Sequence, residues 1–306
     1  MEDTVGSENK TDKSDAKSSY VLRSKMIENS KTIEFKIPLH IDFLQCPKYL
    51  IPGLNISLKL LRQYDDFVLL GPSKTRNIVT TGGVTKTYTY KIKIKSLKLS
   101  LRYLTLSQEI TEKHAALLKA GRPALYHFPF SRVNNHVINP NIKFVPLQQV
   151  ASGILPNLII FGIVPAANVV PNIKKNPYYF NHHNLKQVVF KVNGQIVSDY
   201  TLDYTDNKVK ALAPYLDLHE ILCLNDQSNS ISLSFEQYKS GMNFYAYDLV
   251  SGHACNSFHF HKPLIGSLDI DLFFDPAPTE ALQLIEYKVY NRTLSIDENR
   301  NVKFAN

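Results

Sequence analysis

Tryptophan is absent from this 306-residue chain, and cysteine and methionine occur only three times each. Cys46, Cys223 and Cys255 are odd in number, far apart and without a C-x-x-C spacing. That pattern gives neither a disulfide framework nor a structural zinc site, and makes a reducing compartment the default. No window approaches the roughly 18 uninterrupted apolar residues of a membrane span, and MEDTVGSENKTDKSDAKSSY at the start has no apolar core of a signal peptide. The chain therefore reads as soluble and not secreted, and its sequons at Asn9, Asn55 and Asn291 as chance matches. G-x-S-x-G, G-x-x-x-x-G-K-[ST] and H-E-x-x-H are all missing, which removes the commonest hydrolase, nucleotide-binding and metalloprotease signatures.

What is present is ample core material: 44% of the residues are hydrophobic, enough for one large or two medium domains. Met1 to Ser30 is the exception. It lacks aliphatic periodicity, is rich in Ser, Lys, Asp, Glu and Thr, and reads as a polar disordered tail. Its five basic side chains face six acidic ones, so the formal charge of +8 belongs to the remainder of the chain. A bias of that size suits a polyanionic neighbour or simply solubility.

From Lys31 the pattern has period two. KTIEFKI (31–37) and LNISLKLL (54–61) alternate apolar and polar residues, and Phe67 to Leu70 reads as a third strand. Tyr88 to Tyr103 (YTYKIKIKSLKLSLRY) reads as a longer one, with Lys91, Lys93 and Lys95 opposite Tyr88, Tyr90, Ile92 and Ile94. From Leu97 the apolar parity inverts, so a bulge near Lys95-Ser96 is expected. The lysine comb suits either a solvated face guarded against edge pairing or a nucleic-acid stripe.

The period then becomes helical over residues 105–122. Thr105 and Gln108 form a capping box, Leu106, Ile110, Leu117 and Leu118 make the apolar stripe, and Gly121 with Pro123 supplies the stop. Beyond it, Ala124 to Phe130 and Asn135 to Val145 open a second β region. Its centre is LIIFGIV (158–164), a continuous apolar run that suits a strand buried on both faces. A Pro-containing surface loop, NPYYFNHHNL, follows, then LKQVVFKV with Asn193-Gly194 as a type I′ hairpin turn. Val209 to Leu224 reads as a short helix broken by Pro214. Further strands are expected at 230–235, 243–249, 266–274 and 281–290. Many short strands, few helices and frequent turns argue for β-sandwich packing.

The candidate chemistry is thin. His253, His259 and His261 in GHACNSFHFHKP resemble a cupin-type metal half-site, but Ile265 stands where a carboxylate ligand is needed and the second half of the motif is missing. Surface or packing histidines explain them better. His182-His183 are sequence neighbours, badly placed for shared chelation, and read as loop residues. Asp269 and Asp271 project from one strand face, where a plain solvated face accounts for them better than an acid/base pair.

Lys31 to Leu70, Asn176 to Val197, Gly241 to Val250, Gly266 to Phe274 and SIDENRNV (295–302), taken in order, resemble the major capsid proteins of Polinton/Maverick-type elements and adintoviruses. The resemblance implies an all-β fold of tandem (double) jelly-roll β-sandwiches with a linker helix. It places a partial N-terminal jelly roll at 31–104, the helix at 105–122 and a C-terminal jelly roll at 123–306. In the family a further stretch carrying the first strands precedes the part that matches Lys31, so the first sandwich is expected to be incomplete. The implied role is a non-enzymatic structural one in the virion shell, without cofactor or bound metal. The implied partners are two further copies in a trimeric capsomer, a minor capsid or penton protein, and packaged double-stranded DNA faced by Lys91, Lys93 and Lys95, with no membrane. Before assembly the chain is expected inside the host cell. A domesticated or truncated copy acting as a binding module, or less readily a cupin-like metalloenzyme, are the alternatives.

Overall fold

The computed structural model describes residues 24–69, 71, 75–79, 85–204, 210–222, 233–250 and 263–305. Nine strands make two sheets, eight of them in jelly-roll order and one short strand added at an end. β3 (Ala124–Ile138), β10 (Leu282–Ile296), β5 (Leu158–Pro165) and β8 (Phe244–Asp248) form one, with β11 (Val302–Ala305) paired to the last residues of β10. β4 (Phe144–Ile154), β9 (Ile265–Phe274), β6 (Leu185–Val192) and β7 (Gln195–Thr201) form the other, in that order. From β3 to β10 the chain crosses from sheet to sheet at every connection except that between β6 and β7, which are hairpin neighbours. This antiparallel order is that of an eight-stranded jelly roll.

The core lies between these sheets. Ile159, Phe161 and Ile163 of β5, Leu282 and Leu284 of β10 and Tyr245 of β8 meet Val188 and Phe190 of β6 and Leu268, Ile270 and Leu272 of β9. Phe161 stacks on Tyr245 at 5.2 Å and tilts against Phe190 at 5.9 Å. The other face of β5 is covered as well. Leu158 packs with Ala211, Leu218, Ile221 and Tyr238 around α4 (Leu212–Ile221) and α5 (Phe235–Lys239), inserted between β7 and β8. The double burial read from the unbroken apolar run is therefore real.

The hairpin expected at Asn193-Gly194 is present. Asn193 has φ 52° and Gly194 φ 78°, and Val192 pairs with Gln195 across the turn. Four other expectations need correcting. Pro214 does not break α4: it stands at the third helical position, where its missing N–H costs no intrahelical bond. Phe67 lies in a four-residue helix, α1 (Asp65–Val68), not a strand. The helix α2 (Gln108–Lys119) starts after Ser107, so Thr105 does not cap it. Of the expected strand 230–235, residues 230–232 lie outside the described part, and Phe235 opens α5 behind a Ser234/Gln237 capping box.

The larger difference is upstream. Residues 31–37 and 54–61 carry no strand, and the expected strand 88–103 survives only in β2 (Thr85–Thr89), paired with β1 (Thr75–Val79). No bulge forms at Lys95-Ser96, because residues 90–106 have no regular structure. The physical reason is that a period-two pattern is only a strand once a neighbour accepts its hydrogen bonds. The described residues divide into two compact units, one within Met1–Ile37, Gln63–Tyr90 and Ser131–Tyr290, the other within Pro38–Arg62, Lys91–Phe130 and Asn291–Asn306. In the second, Tyr126, Phe128, Leu294 and Ile296 pack with Phe43, Leu50, Ile51 and Leu54. Arg300 Nε closes this unit by donating to the Pro52 carbonyl at 2.8 Å.

Gly162 gives the sandwich a sharp steric requirement. A methyl added there would stand 2.5 Å from a ring carbon of Phe180 and 3.0 Å from one of Phe244. Gly162→Ala is expected to cost about 1–3 kcal/mol, read as a lower urea midpoint with an unchanged slope.

Candidate functional site

Two polar clusters lie inside the sandwich unit, and both were absent from the sequence reading. The first is ionic. On β10, Leu282, Leu284, Glu286 and Lys288 share one parity, so the strand that feeds two leucines into the core also feeds a carboxylate and an ammonium. Glu286 is fully buried and Lys288 is 3% exposed. Lys288 Nζ donates to Glu286 Oε1 at 2.6 Å and to the Val150 carbonyl at 2.5 Å, and His136 Nε2 stands 3.4 Å from the same carboxylate oxygen.

The Val150 carbonyl is free to point at Lys288 because β4 is bulged between Leu147 and Ala151, with Gln149 at φ 52°. From the other side Asp269 Oδ1 accepts the Gln149 N–H at 2.7 Å. Asp271, two residues on, ion-pairs with Lys191 of β6. The two aspartates thus share a strand face, as expected, but the face is not the plain solvated one expected: Asp271 is buried under its ion pair with Lys191, and each aspartate has its own partner. That is the arrangement of a structural face, not of a carboxylate pair sharing a proton. The signal for Glu286 and Lys288 was available in the parity of LQLIEYK, whereas the bulge that uses Lys288 left no mark in the sequence.

The second cluster holds the NPYYFNHHNL loop against the helical insertion. Phe180 exchanges backbone bonds with Gly241 and Asn243 at 2.9 and 3.0 Å, and its ring lies on Phe244 at 4.6 Å. His182 stacks on Tyr204 at 4.2 Å. Beneath the loop, the Tyr204 and Tyr245 hydroxyls are 2.8 Å apart, Asn243 Nδ2 donates to Tyr204 Oη, and Tyr238 donates to the Phe244 carbonyl. Tyr200 donates to Asp217 Oδ2 at 2.6 Å. Burial pushes the Tyr238 and Tyr245 phenols well above their ordinary value, and those of Tyr200 and Tyr204 upward, so all four stay neutral. A neutral, mutually bonded phenol set positions a loop; it offers neither nucleophile nor base.

Lys91, Lys93 and Lys95 are exposed, but on a stretch without regular structure, so they do not line a sheet face. His253, His259, His261, Cys223 and Cys255 lie outside the described residues, as do residues 225–229. Among the described residues no group of three His, Cys, Asp or Glu is placed to hold a metal ion, and no helix is long and apolar enough to cross a membrane.

No protein-family model and no curated protein matches this chain. Among solved structures it is similar to a chain of the Sputnik virophage determined by cryo-EM, at 11% identity over 60% of this chain and 39% of that one, TM-score 0.39. It is similar to PBCV-1 VP54 fitted into a reconstruction of Sputnik at 9% identity, covering 66% and 55%, TM-score 0.40. The mavirus major capsid protein aligns at 7% identity, covering 60% and 41%, TM-score 0.33. This chain thus spans between about two fifths and just over half of those chains' lengths. Its jelly-roll assignment rests on the strand order described above.

Both clusters give measurable consequences. Lys288→Met strands the buried Glu286 charge and is expected to cost about 3–5 kcal/mol. Glu286→Leu/Lys288→Met together should recover all but the about 1–3 kcal/mol of the unpaired Val150 carbonyl; equal losses in single and double variants, by urea titration, would contradict the pairing.

Burial, and secondly His182 beside it, lowers the His183 imidazole from 6.5 to about 4. The unfolded chain then binds a proton before the folded one does. Stability is complete above the ordinary imidazole value and falls as pH drops from there towards 4, by up to about 3 kcal/mol. His183→Gln is expected to flatten that part of the stability–pH curve.

Proposed function

We propose that this chain is a structural capsid protein, a building block of a virion shell of the Polinton/Maverick type, associating as trimeric capsomers. The observation that carries the reading is where the resembling motifs fall. Asn176 to Val197, Gly241 to Val250 and Gly266 to Phe274 occupy the pinned loop with its β6–β7 hairpin, β8 and β9, which are adjoining parts of one jelly roll. Such a protein works by burying flanks against identical neighbours, each contact weak and the shell held by multiplicity. This role needs no catalytic group, cofactor or metal.

In this reading the Pro171 to Asn184 loop contributes to capsomer contacts or the outer surface. Residues 31–104 belong to the N-terminal half of a double jelly roll, and Lys91, Lys93 and Lys95 face packaged double-stranded DNA. A second reading, a non-enzymatic binding module of the same fold, is favoured by one observation: the only strands among the described residues of 31–104 are β1 and β2.

Light scattering on the eluting purified chain, with negative-stain imaging of any large fraction, separates the two. Trimers or shells are expected; a strict monomer at all concentrations would favour the binding module. If shells form, Lys91→Glu/Lys93→Glu/Lys95→Glu should reduce retained DNA and make its remaining loss with salt shallower. Unchanged retention would remove the lysines from that role.

A further inference from the structure

Ser96–Arg102, SLKLSLR, takes part in no helix, strand, turn or bend, and its Leu97, Leu99 and Leu101 are 72%, 53% and 58% exposed. Among the described residues its backbone makes no hydrogen bond. Yet its alternation is that of a half-buried strand, with Leu97, Leu99 and Leu101 on one face and Lys98, Ser100 and Arg102 on the other. An alternating apolar segment with unpaired N–H and C=O groups is a template for strand addition.

The sequence itself says which partner fits. Two copies meeting antiparallel about a twofold axis at Leu99 place Leu97 opposite Leu101, Lys98 opposite Ser100 and Ser96 opposite Arg102. Every apolar residue meets an apolar one and no like charges face each other. Moving the axis to Lys98 sets two lysines face to face and Lys95 against Leu101. Moving it back onto Lys93 sets Lys91 against Lys95 and Lys93 against itself, while an axis at Ile92 sets Lys91 against Lys93 and one at Ile94 sets Lys93 against Lys95. The leucine half therefore pairs over its full length when centred on Leu99, whereas registers centred on 92, 93 or 94 in the lysine half set lysine against lysine, which limits how far pairing extends.

We propose that Ser96–Arg102 is a self-pairing strand through which two copies of the chain join by antiparallel β-addition, with Leu99 on the twofold axis. This goes beyond threefold association in a capsomer, because a twofold contact is isologous and needs no shell. The contact is small and sits in the weak class of interfaces, below about 1,200 Å2, so trapping is the suitable test.

In the full chain with Cys46, Cys223 and Cys255 replaced by serine, Leu99→Cys is expected to give a disulfide-linked dimer on mild oxidation at least about tenfold faster than Lys98→Cys, since only directly opposed residues reach bonding distance. A mixture of Leu97→Cys and Leu101→Cys chains should also link. Equal rates at 98 and 99, or an intrachain bond between Ile56→Cys and Leu99→Cys in place of the dimer, would overturn the proposal. Without cross-linking, Leu99→Lys and Leu99→Glu are each expected to be monomeric by sedimentation and to dimerise on mixing. Failure to recover on mixing overturns the proposal, because misfolding then accounts for the loss. Shells that form with no 99–99 link overturn this contact and leave the capsid reading standing; linked dimers that never form shells do the reverse.

Discussion

The sandwich depends on β5 being buried on both faces. Ile159, Phe161 and Ile163 point into the space between the sheets, while Leu158 and Ile160 point at the α4/α5 insertion. A strand so enclosed has no solvent side to absorb an error of register, because a slip of one residue exchanges two apolar sets that meet differently shaped partners. Gly162 sharpens the constraint. It is the one position of β5 where Phe180 and Phe244 come too close for a side chain, so the strand admits the aromatic loop only in this alignment. The NPYYFNHHNL loop, the phenol network beneath it and the helical insertion are all arranged around that alignment.

Against so apolar a centre, the Glu286–Lys288 pair looks expensive. Its attraction does not obviously exceed the desolvation of two ions, and an apolar pair of the same size would hold the core at least as well. What an apolar pair would not do is meet the Val150 carbonyl, which the β4 bulge turns inward. Lys288 from one sheet and Asp269 from the other side of the bulge fix it at Val150 and Gln149. The ionic pair thus serves the registry of β4 against β9 more than the depth of the free-energy minimum. His136 beside the same carboxylate places a third titratable group at that junction.

How much of this was legible from sequence follows from how local each signal is. The β6–β7 hairpin was readable because Asn193-Gly194 dictates its own turn, and β5 because an unbroken apolar run of strand length has few other uses. Strand spacing gave β-sandwich packing, and the jelly roll was what the resembling motifs implied. The capping of α2, the place of Pro214 in the first turn of α4 and the helix at Phe67 were misread because caps and single turns are set by which residue first finds a tertiary contact. The carbonyl at Val150 could not be read at all, since a bulge is a property of two paired strands and its partner Lys288 is 138 residues away.

Residues 31–61 and 90–106 mark the limit of pattern reading in the other direction. Their alternation is as clean as that of β9, yet β9 is a strand because β4 and β6 flank it, and among the described residues Leu97, Leu99 and Leu101 have no such strand neighbours. Alternation reports which face a strand will bury once paired; it is silent on whether the partner is in the same molecule. The parity inversion at Lys95-Ser96 adds to this, because no flat partner can cover the isoleucines of the first half and the leucines of the second together. A segment divided in this way suits a chain whose two halves meet different surroundings, one basic and wet, the other apolar and closed by another strand.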